Sequence, residues 1–225
     1  DTNGMSGSAI STLFNEAAIR AVMAGRGVIC ASDIDGAMAQ QLTNGEQAKV
    51  SNKEDIKIAA YHEAGHAVIL RLLAKEKVPK VTIIGATSGA AGYTTHVDES
   101  NRQLISLSKI RALIVGIYGG RAAEELVFGK DEITISARSD ITSASTWIRD
   151  YIRYGGTESN LLDESSFRGG GDTVSVDEAR KLSLALYQEA LDFLSKHRTV
   201  LDLVANRLIE KDTIFDDELD QLLSS

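Results

Sequence analysis

A long helical pattern from about Asp55 to about Lys77 constrains this chain most, because it embeds His62, Glu63 and His66 among alanine, valine, isoleucine and leucine residues. Ser51 followed by Glu54 predicts its start through a capping box, and basic residues followed by Pro79 predict its end. Residues 62–66 read His-Glu-Ala-Gly-His. Side chains four apart on a helix lie about 6 Å apart at Cβ, so His62 and His66 can turn ring nitrogens toward one metal ion. Zinc accepts such a pair, and Glu63 can reach a water at the open coordination position, where it can serve as general base. A site of this kind takes a third protein ligand. No histidine follows at metzincin spacing, and the spacing leaves Asp140, Glu124 and Glu125 open as carboxylate candidates. Each reads equally well as a surface charge or an ion-pair partner.

Composition removes several other classes. The 225 residues contain one cysteine, Cys30, which excludes an intrachain disulfide framework and any zinc site built from several thiolates. A net charge of −8, 5 % aromatic residues and no Lys/Arg run argue against nucleic acid as a partner, since nothing neutralises a row of phosphates. The pattern G-x-x-x-x-G-K-[ST] is missing, so these residues form no phosphate-cradling loop. The longest apolar run, around Ala112 to Tyr118, is far short of the roughly 20 residues a membrane-spanning helix needs. The first residues lack the basic stretch and apolar core of a signal peptide, which suits a cytosolic-type chain or a piece of a longer one.

Elsewhere the patterning is mostly helical, with one small sheet. Apolar residues from Ile10 to Ala21 recur at helical spacing and stop at Gly25-Arg26-Gly27. Ser32 with Asp35 predicts the cap of a second short helix through Ile34 to Leu42, and the polar stretch from Thr43 to Ser51 reads as a linker. Val81 to Ile84 and Tyr93 to Val97 read as two antiparallel strands around a Gly/Ala/Ser turn. Further helical stretches are predicted from Asn101 through Gly119-Gly120 to Phe128, and from about Ser139 to Tyr154. Gly155 to Val174 reads as a loop; Ser175 with Glu178 then caps a last helical region reaching Leu223, with breaks near His197 and Lys211. Cys30 reads as a small buried hydrophobe, and His197, within Lys196-His197-Arg198, as the complement of a helix C-terminus.

Three motifs in this order closely resemble the peptidase domain of the FtsH family of AAA+ zinc metalloproteases. They are Tyr61-His62-Glu63-Ala64-Gly65-His66-Ala67, Pro79 to Ile84, and Gly119-Gly120-Arg121-Ala122-Ala123-Glu124-Glu125-Leu126-Val127-Phe128-Gly129. Residues 5–45, with Ser6-Gly7 and Asn15-Glu16-Ala17-Ala18, resemble the end of that family's ATPase lid subdomain. The resemblance implies a mainly α fold: a helical metallopeptidase domain with a small antiparallel sheet at 48–225, preceded by a helical lid remnant at 1–47. It also implies that Asp140, in Ile135-Ser136-Ala137-Arg138-Ser139-Asp140-Ile141, is the third zinc ligand. Two departures stand beside it: the family's usual Thr-Gly is Ile135-Ser136, and its usual Asn is Ser139. The Gly155–Val174 connection is shorter than is usual in the family.

The resemblance thus implies a zinc endopeptidase. Its metal would be held by His62, His66 and Asp140, its base would be Glu63, and its substrates would be unfolded or extended polypeptides lying near the edge strand. It implies a homo- or hetero-hexamer in the full-length protein, with an ATPase module and a membrane anchor upstream, in a bacterial inner membrane or an organelle, and this stretch itself soluble. Glu124 and Glu125 remain runner-up ligands, read more readily as ion-pair partners of Arg121 one turn earlier. His96 and Tyr93 are candidates for stabilising the oxyanion. The rival expectation is a non-catalytic, FtsH-like subunit with an assembly or regulatory role.

Overall fold

The computed structural model describes residues 5–43, 47–49, 52–86, 91–97, 104–155 and 174–224. The chain opens with α1 (Gly7–Met23) and α2 (Ala31–Thr43), followed by β1 (Gln47–Lys49), α3 (Lys53–Leu72), β2 (Lys77–Thr82), β3 (Ile84–Ala86) and β4 (Tyr93–Val97). It continues through α4 (Leu107–Ile117), α5 (Gly119–Phe128), two 3₁₀ turns (Lys130–Glu132 and Ile135–Ala137) and α6 (Arg138–Gly155). It ends with α7 (Val176–Lys196), α8 (Arg198–Lys211), β5 (Thr213–Phe215) and α9 (Asp216–Leu223).

Helices α1 and α2 pack on each other around Leu13, Ala17 and Ala37, a small core separate from the main one. The start of α2 differs from the expectation. Its cap is not Ser32: the Asp33 carboxylate accepts the Cys30 backbone N–H at 2.8 Å and a two-pronged guanidinium from Arg26 at 2.7 Å per bond. Cys30 is consequently exposed rather than buried, since it occupies the helix entrance. Because Arg26, and then the Cys30 N–H, hold the Asp33 carboxyl at about 2, down from 3.8, the stabilisation this pair contributes is complete above about pH 4 and fades as pH falls toward 2. Asp33→Asn should therefore destabilise the chain at pH 6, with the gap to wild type closing between pH 4 and 2 in acid unfolding followed by circular dichroism.

Helix α3 is the axis of the molecule. Its N-cap is Asn52, whose side chain accepts the Glu54 N–H at 2.9 Å, while Ser51 lies outside the described residues. It stops at Leu72, because the chain turns at Lys75 (φ 57°) and Lys77–Thr82 is already strand. Pro79 therefore sits in β2 and not at a helix end. It is tolerated there because the β2–β4 register is irregular between Lys77 and Lys80, and β5 pairs only with Lys80–Thr82. Every residue from Ala59 to Leu70 is buried, so α3 shows no solvent face over three turns.

Burial on all sides is possible because α3 meets α5 backbone to backbone. A Cβ on Gly65 would lie 2.2 Å from the Gly119 carbonyl oxygen, and one on Gly119 would lie 2.5 Å from the Gly65 oxygen. The predicted helix through Gly119-Gly120 is in fact two helices broken at Tyr118; its first turn begins at Leu107 behind the Ser106 cap, and Asn101 lies outside the described residues. Tyr118 anchors the break by a 2.7 Å hydrogen bond to Ser183 of α7.

The main sheet has the antiparallel order β4-β2-β5. Its third strand, β5, lies inside the region read as helical; it follows Asp212 in the left-handed conformation (φ 61°) and is only three residues long. Ile84 belongs not to β2 but to β3, which pairs with β1. The stretch read as a linker thus contributes a strand. Helix α6 spans Arg138–Gly155, close to expectation, and the loop read at Gly155–Val174 falls almost wholly outside the described residues. Ser175 caps α7 through the Glu178 N–H, and His197 donates from Nδ1 to the Phe193 carbonyl at 2.8 Å, closing that helix as expected. Gly65→Ala should cost about 1–3 kcal/mol in urea unfolding, because a methyl there can be housed only by separating α3 from α5.

Candidate metal centre

His62, Glu63 and His66 project from the middle of α3 and are 8 %, 5 % and 9 % exposed. Each imidazole is fixed through Nδ1. His62 Nδ1 donates to Glu124 Oε1 at 2.6 Å, and His66 Nδ1 donates to the Gly116 carbonyl at 2.9 Å. With Nδ1 protonated on both rings, both Nε2 lone pairs are left for a cation. The two Nε2 atoms are 3.1 Å apart. Asp140, in the first turn of α6, brings Oδ2 to 3.2 Å from His62 Nε2 and 3.5 Å from His66 Nε2.

Several observations test whether this cluster suits a metal ion. The three ligand atoms lie within 4.8 Å of one another. Asp140 Oδ2 is buried without a proper hydrogen bond, as expected of an oxygen whose partner is a cation. A Cβ at Gly120, in the first turn of α5, would come within 2.5 Å of both Nε2 atoms, so only glycine leaves the space beside them open. Electrostatics agree. Burial would lower the His62 pKa, yet Asp140 and Glu124 outweigh it and push the ring well above the usual imidazole range, so the pocket favours positive charge. Burial opposes ionisation of Asp140 too, but the two imidazoles hold its carboxyl well below the usual range.

Glu124 is not a neighbour of Arg121 in an ion pair; it turns inward and is fully buried. Such a carboxylate is costly unless its oxygens are satisfied. Oε1 accepts from His62 Nδ1 and from Ser136 Oγ at 3.1 Å, and Oε2 accepts the Thr134 N–H at 2.7 Å. Burial raises its pKa, but His62 and Thr134 prevail and keep it ionised. Ser136 thus adds a donor to the carboxylate that orients His62. Glu125 points elsewhere, accepting the Tyr187 hydroxyl of α7 at 2.5 Å.

Glu63 lies beside the cluster and faces β4. Thr94 Oγ1 donates to Glu63 Oε2 at 2.7 Å. Burial raises the Glu63 pKa above the ordinary carboxylate value, against the pull of His62, His66 and Thr94. The oxyanion candidates are engaged otherwise: His96 Nδ1 bonds to buried Glu76 at 3.0 Å, and the Tyr93 ring lies under Lys80 Nζ at 5.5 Å. Among the described residues no hydrogen bond joins either to His62, Glu63, His66 or Asp140. Sequence reading missed Thr94, Thr134 and Gly120 as parts of the site. Only Gly120 carried a signal, as one of two adjacent glycines opening a helix.

A buried helix bearing His-Glu-x-x-His, with a carboxylate delivered from a second helix and an antiparallel sheet edge alongside, defines the class of helical zinc peptidases. Residues 49–222 match Peptidase family M41, and the chain belongs to that family. Over 244 residues, 100 % of this chain, it is 32 % identical to the ATP-dependent zinc metalloprotease FtsH of Trieres chinensis. It is 34 % identical over 99 % of its length to ATP-dependent zinc metalloprotease FtsH 3 of Symbiobacterium thermophilum, and 31 % identical over 99 % to the FtsH of Thermotoga maritima. The chain spans about two fifths of the length of these curated relatives (38 %, 38 % and 40 %). It carries the peptidase domain of that family, and His62, His66 and Asp140 form a group that could hold a metal ion. No helix among the described residues is long and apolar enough to cross a membrane.

Asp140→Ala should lower zinc affinity more than Glu124→Ala, because it removes a donor atom from the cluster. Glu124→Ala should still weaken zinc by about 10- to 100-fold by freeing the His62 ring. Glu125→Ala should leave affinity within about two-fold, as competition with a chromogenic chelator would measure.

Proposed function

We propose that this chain is the proteolytic part of an FtsH-like, ATP-dependent protease, and that it hydrolyses internal peptide bonds in unfolded or extended polypeptides. The observation that carries the reading is the convergence of two Nε2 atoms and an otherwise unsatisfied Asp140 oxygen beside a buried glutamate. His62, His66 and Asp140 would hold the zinc. Bound there, zinc supplies a Lewis acid that polarises the scissile carbonyl and brings the pKa of water to about 7.

Glu63 would take the proton from the attacking water and pass it to the leaving amine. Its elevated pKa suits both halves of that transfer, since a carboxylate of ordinary acidity releases a proton too readily to hold it for the amine. Glu124 would keep His62 in the productive tautomer. β4 is an edge of the sheet, so an extended peptide can add to it by main-chain hydrogen bonds and run past Glu63. The separate core of α1 and α2, and the start of the family match at 49, support reading residues 1–47 as an ATPase lid remnant and 48–225 as the peptidase domain. A hexameric ring with a motor and a membrane anchor upstream belongs to this proposal for the whole protein.

Glu63→Gln and wild type should each bind one zinc per chain, but the variant should lose at least about 10²-fold in turnover of an unstructured peptide. His66→Ala should lose both metal and turnover. Elemental analysis alongside a casein-type assay decides the matter. A folded wild-type chain that binds zinc and cuts no peptide would favour the assembly role.

A further inference from the structure

Glu63 is held from one side by a single strand. Gly92 immediately precedes β4 and Thr94 is its second residue, so the two, two positions apart, approach the same side of the strand. A Cβ at Gly92 would lie 2.9 Å from Glu63 Cγ and 3.0 Å from Oε1, so the glutamate leaves no room for a side chain there. Two residues on, Thr94 Oγ1 lies 2.7 Å from Glu63 Oε2 and 3.3 Å from the Glu63 carbonyl oxygen. Its one hydroxyl hydrogen goes to the nearer, charged acceptor. Among the described residues no hydrogen bond reaches Oε1.

We propose that Thr94 is a positioning residue for Glu63: it ties Oε2 to the edge strand and thereby presents Oε1 to the water. The inference rests on the reading of Glu63 as the base and β4 as the docking edge. Its content is that one strand does both tasks. The backbone of β4 receives the peptide, while a side chain of β4 aims the base, so the scissile bond and the proton acceptor share one rigid reference. A carboxylate on a flexible two-carbon stem needs such a tether, because near-attack geometry tolerates little displacement. The proton accounting is simple: Oε1 receives the water's proton while Thr94 continues to donate to Oε2, and Thr94 itself is neither protonated nor deprotonated. Val81 holds the strand in register, facing Thr94 across the β2–β4 pair.

The test uses the zinc-loaded full chain with Thr94→Val, which keeps the shape and loses the hydroxyl, and Thr94→Ser, which keeps the hydroxyl and loses the methyl. Thr94→Ala repeats the first if valine crowds the sheet. Zinc content, kcat and KM on an unstructured peptide, and equilibrium affinity for a peptide hydroxamate are measured; the hydroxamate O–H needs the same carboxylate as acceptor. In Thr94→Val, zinc should stay at one per chain, kcat should fall about 10- to 100-fold with KM within about two-fold, and hydroxamate affinity should fall about ten-fold. Thr94→Ser should recover most of both. Three results overturn the proposal: kcat within two-fold of wild type in Thr94→Val, equal impairment of Thr94→Ser, or loss of zinc. Glu63→Gln separates the two levels. If it retains turnover, the reading of the base has failed; if it is inert while Thr94→Val is unimpaired, only the role of Thr94 has failed.

Discussion

The close approach of α3 and α5 at Gly65 and Gly119 is the contact on which the rest of the structure depends. With no Cβ on either side, two helix backbones come into direct contact, and α3 can be covered on all sides from Ala59 to Leu70. Burying that stretch takes His62, Glu63 and His66 out of water together. A buried ionisable group is stable only if each polar atom finds a partner, so the surrounding elements must deliver them. α5 supplies Glu124 to His62, the end of α4 supplies a carbonyl to His66, β4 supplies Thr94 to Glu63, and α6 brings Asp140. Asp140 Oδ2 is buried without a proper hydrogen bond, and Gly120 leaves space beside the Nε2 atoms it approaches.

That arrangement separates the carboxylates Asp140 and Glu63 from Glu124 behind His62. Asp140 brings Oδ2 to the Nε2 atoms and Glu63 turns to β4, whereas Glu124 sits behind His62 and accepts from three donors. A carboxylate already accepting from an imidazole, a backbone N–H and a hydroxyl has little capacity left for a cation. Hydrogen bonds thus occupy Glu124, while Asp140 Oδ2 lies beside the Nε2 atoms without one. Ser136 enters the same network behind His62.

Legibility in the sequence followed the range of the interactions. The helix bearing His62 and His66 was readable because ligand spacing at i, i+4 and helical periodicity are the same local fact. Caps were read to within a residue or two: Asn52 displaced Ser51, and Asp33 displaced Ser32, because several polar residues compete at each helix entrance and tertiary position decides which carbonyl or N–H is free. Strand β5 was invisible, since three residues inside a helical pattern carry no period and pair only because β2 is there to receive them. Cys30 was misjudged for a similar reason: its apolar character says nothing of the turn that Arg26 and Asp33 build around it.

By itself the sequence determined a mostly helical chain with one small sheet, a central helix, and a pair of histidines with a glutamate between them, since all of these arise from patterns within a few residues. Resemblance to a family pointed to Asp140; spacing did not. Only the tertiary structure decided that Asp140 and not Glu124 meets the Nε2 atoms, that Glu125 turns to Tyr187, and that Thr94 meets Glu63. Those pairings join residues separated by tens of positions. Their geometry is set by how α3, α5, α6 and β4 pack, and side-chain packing between distant elements leaves no periodic trace in the order of the amino acids.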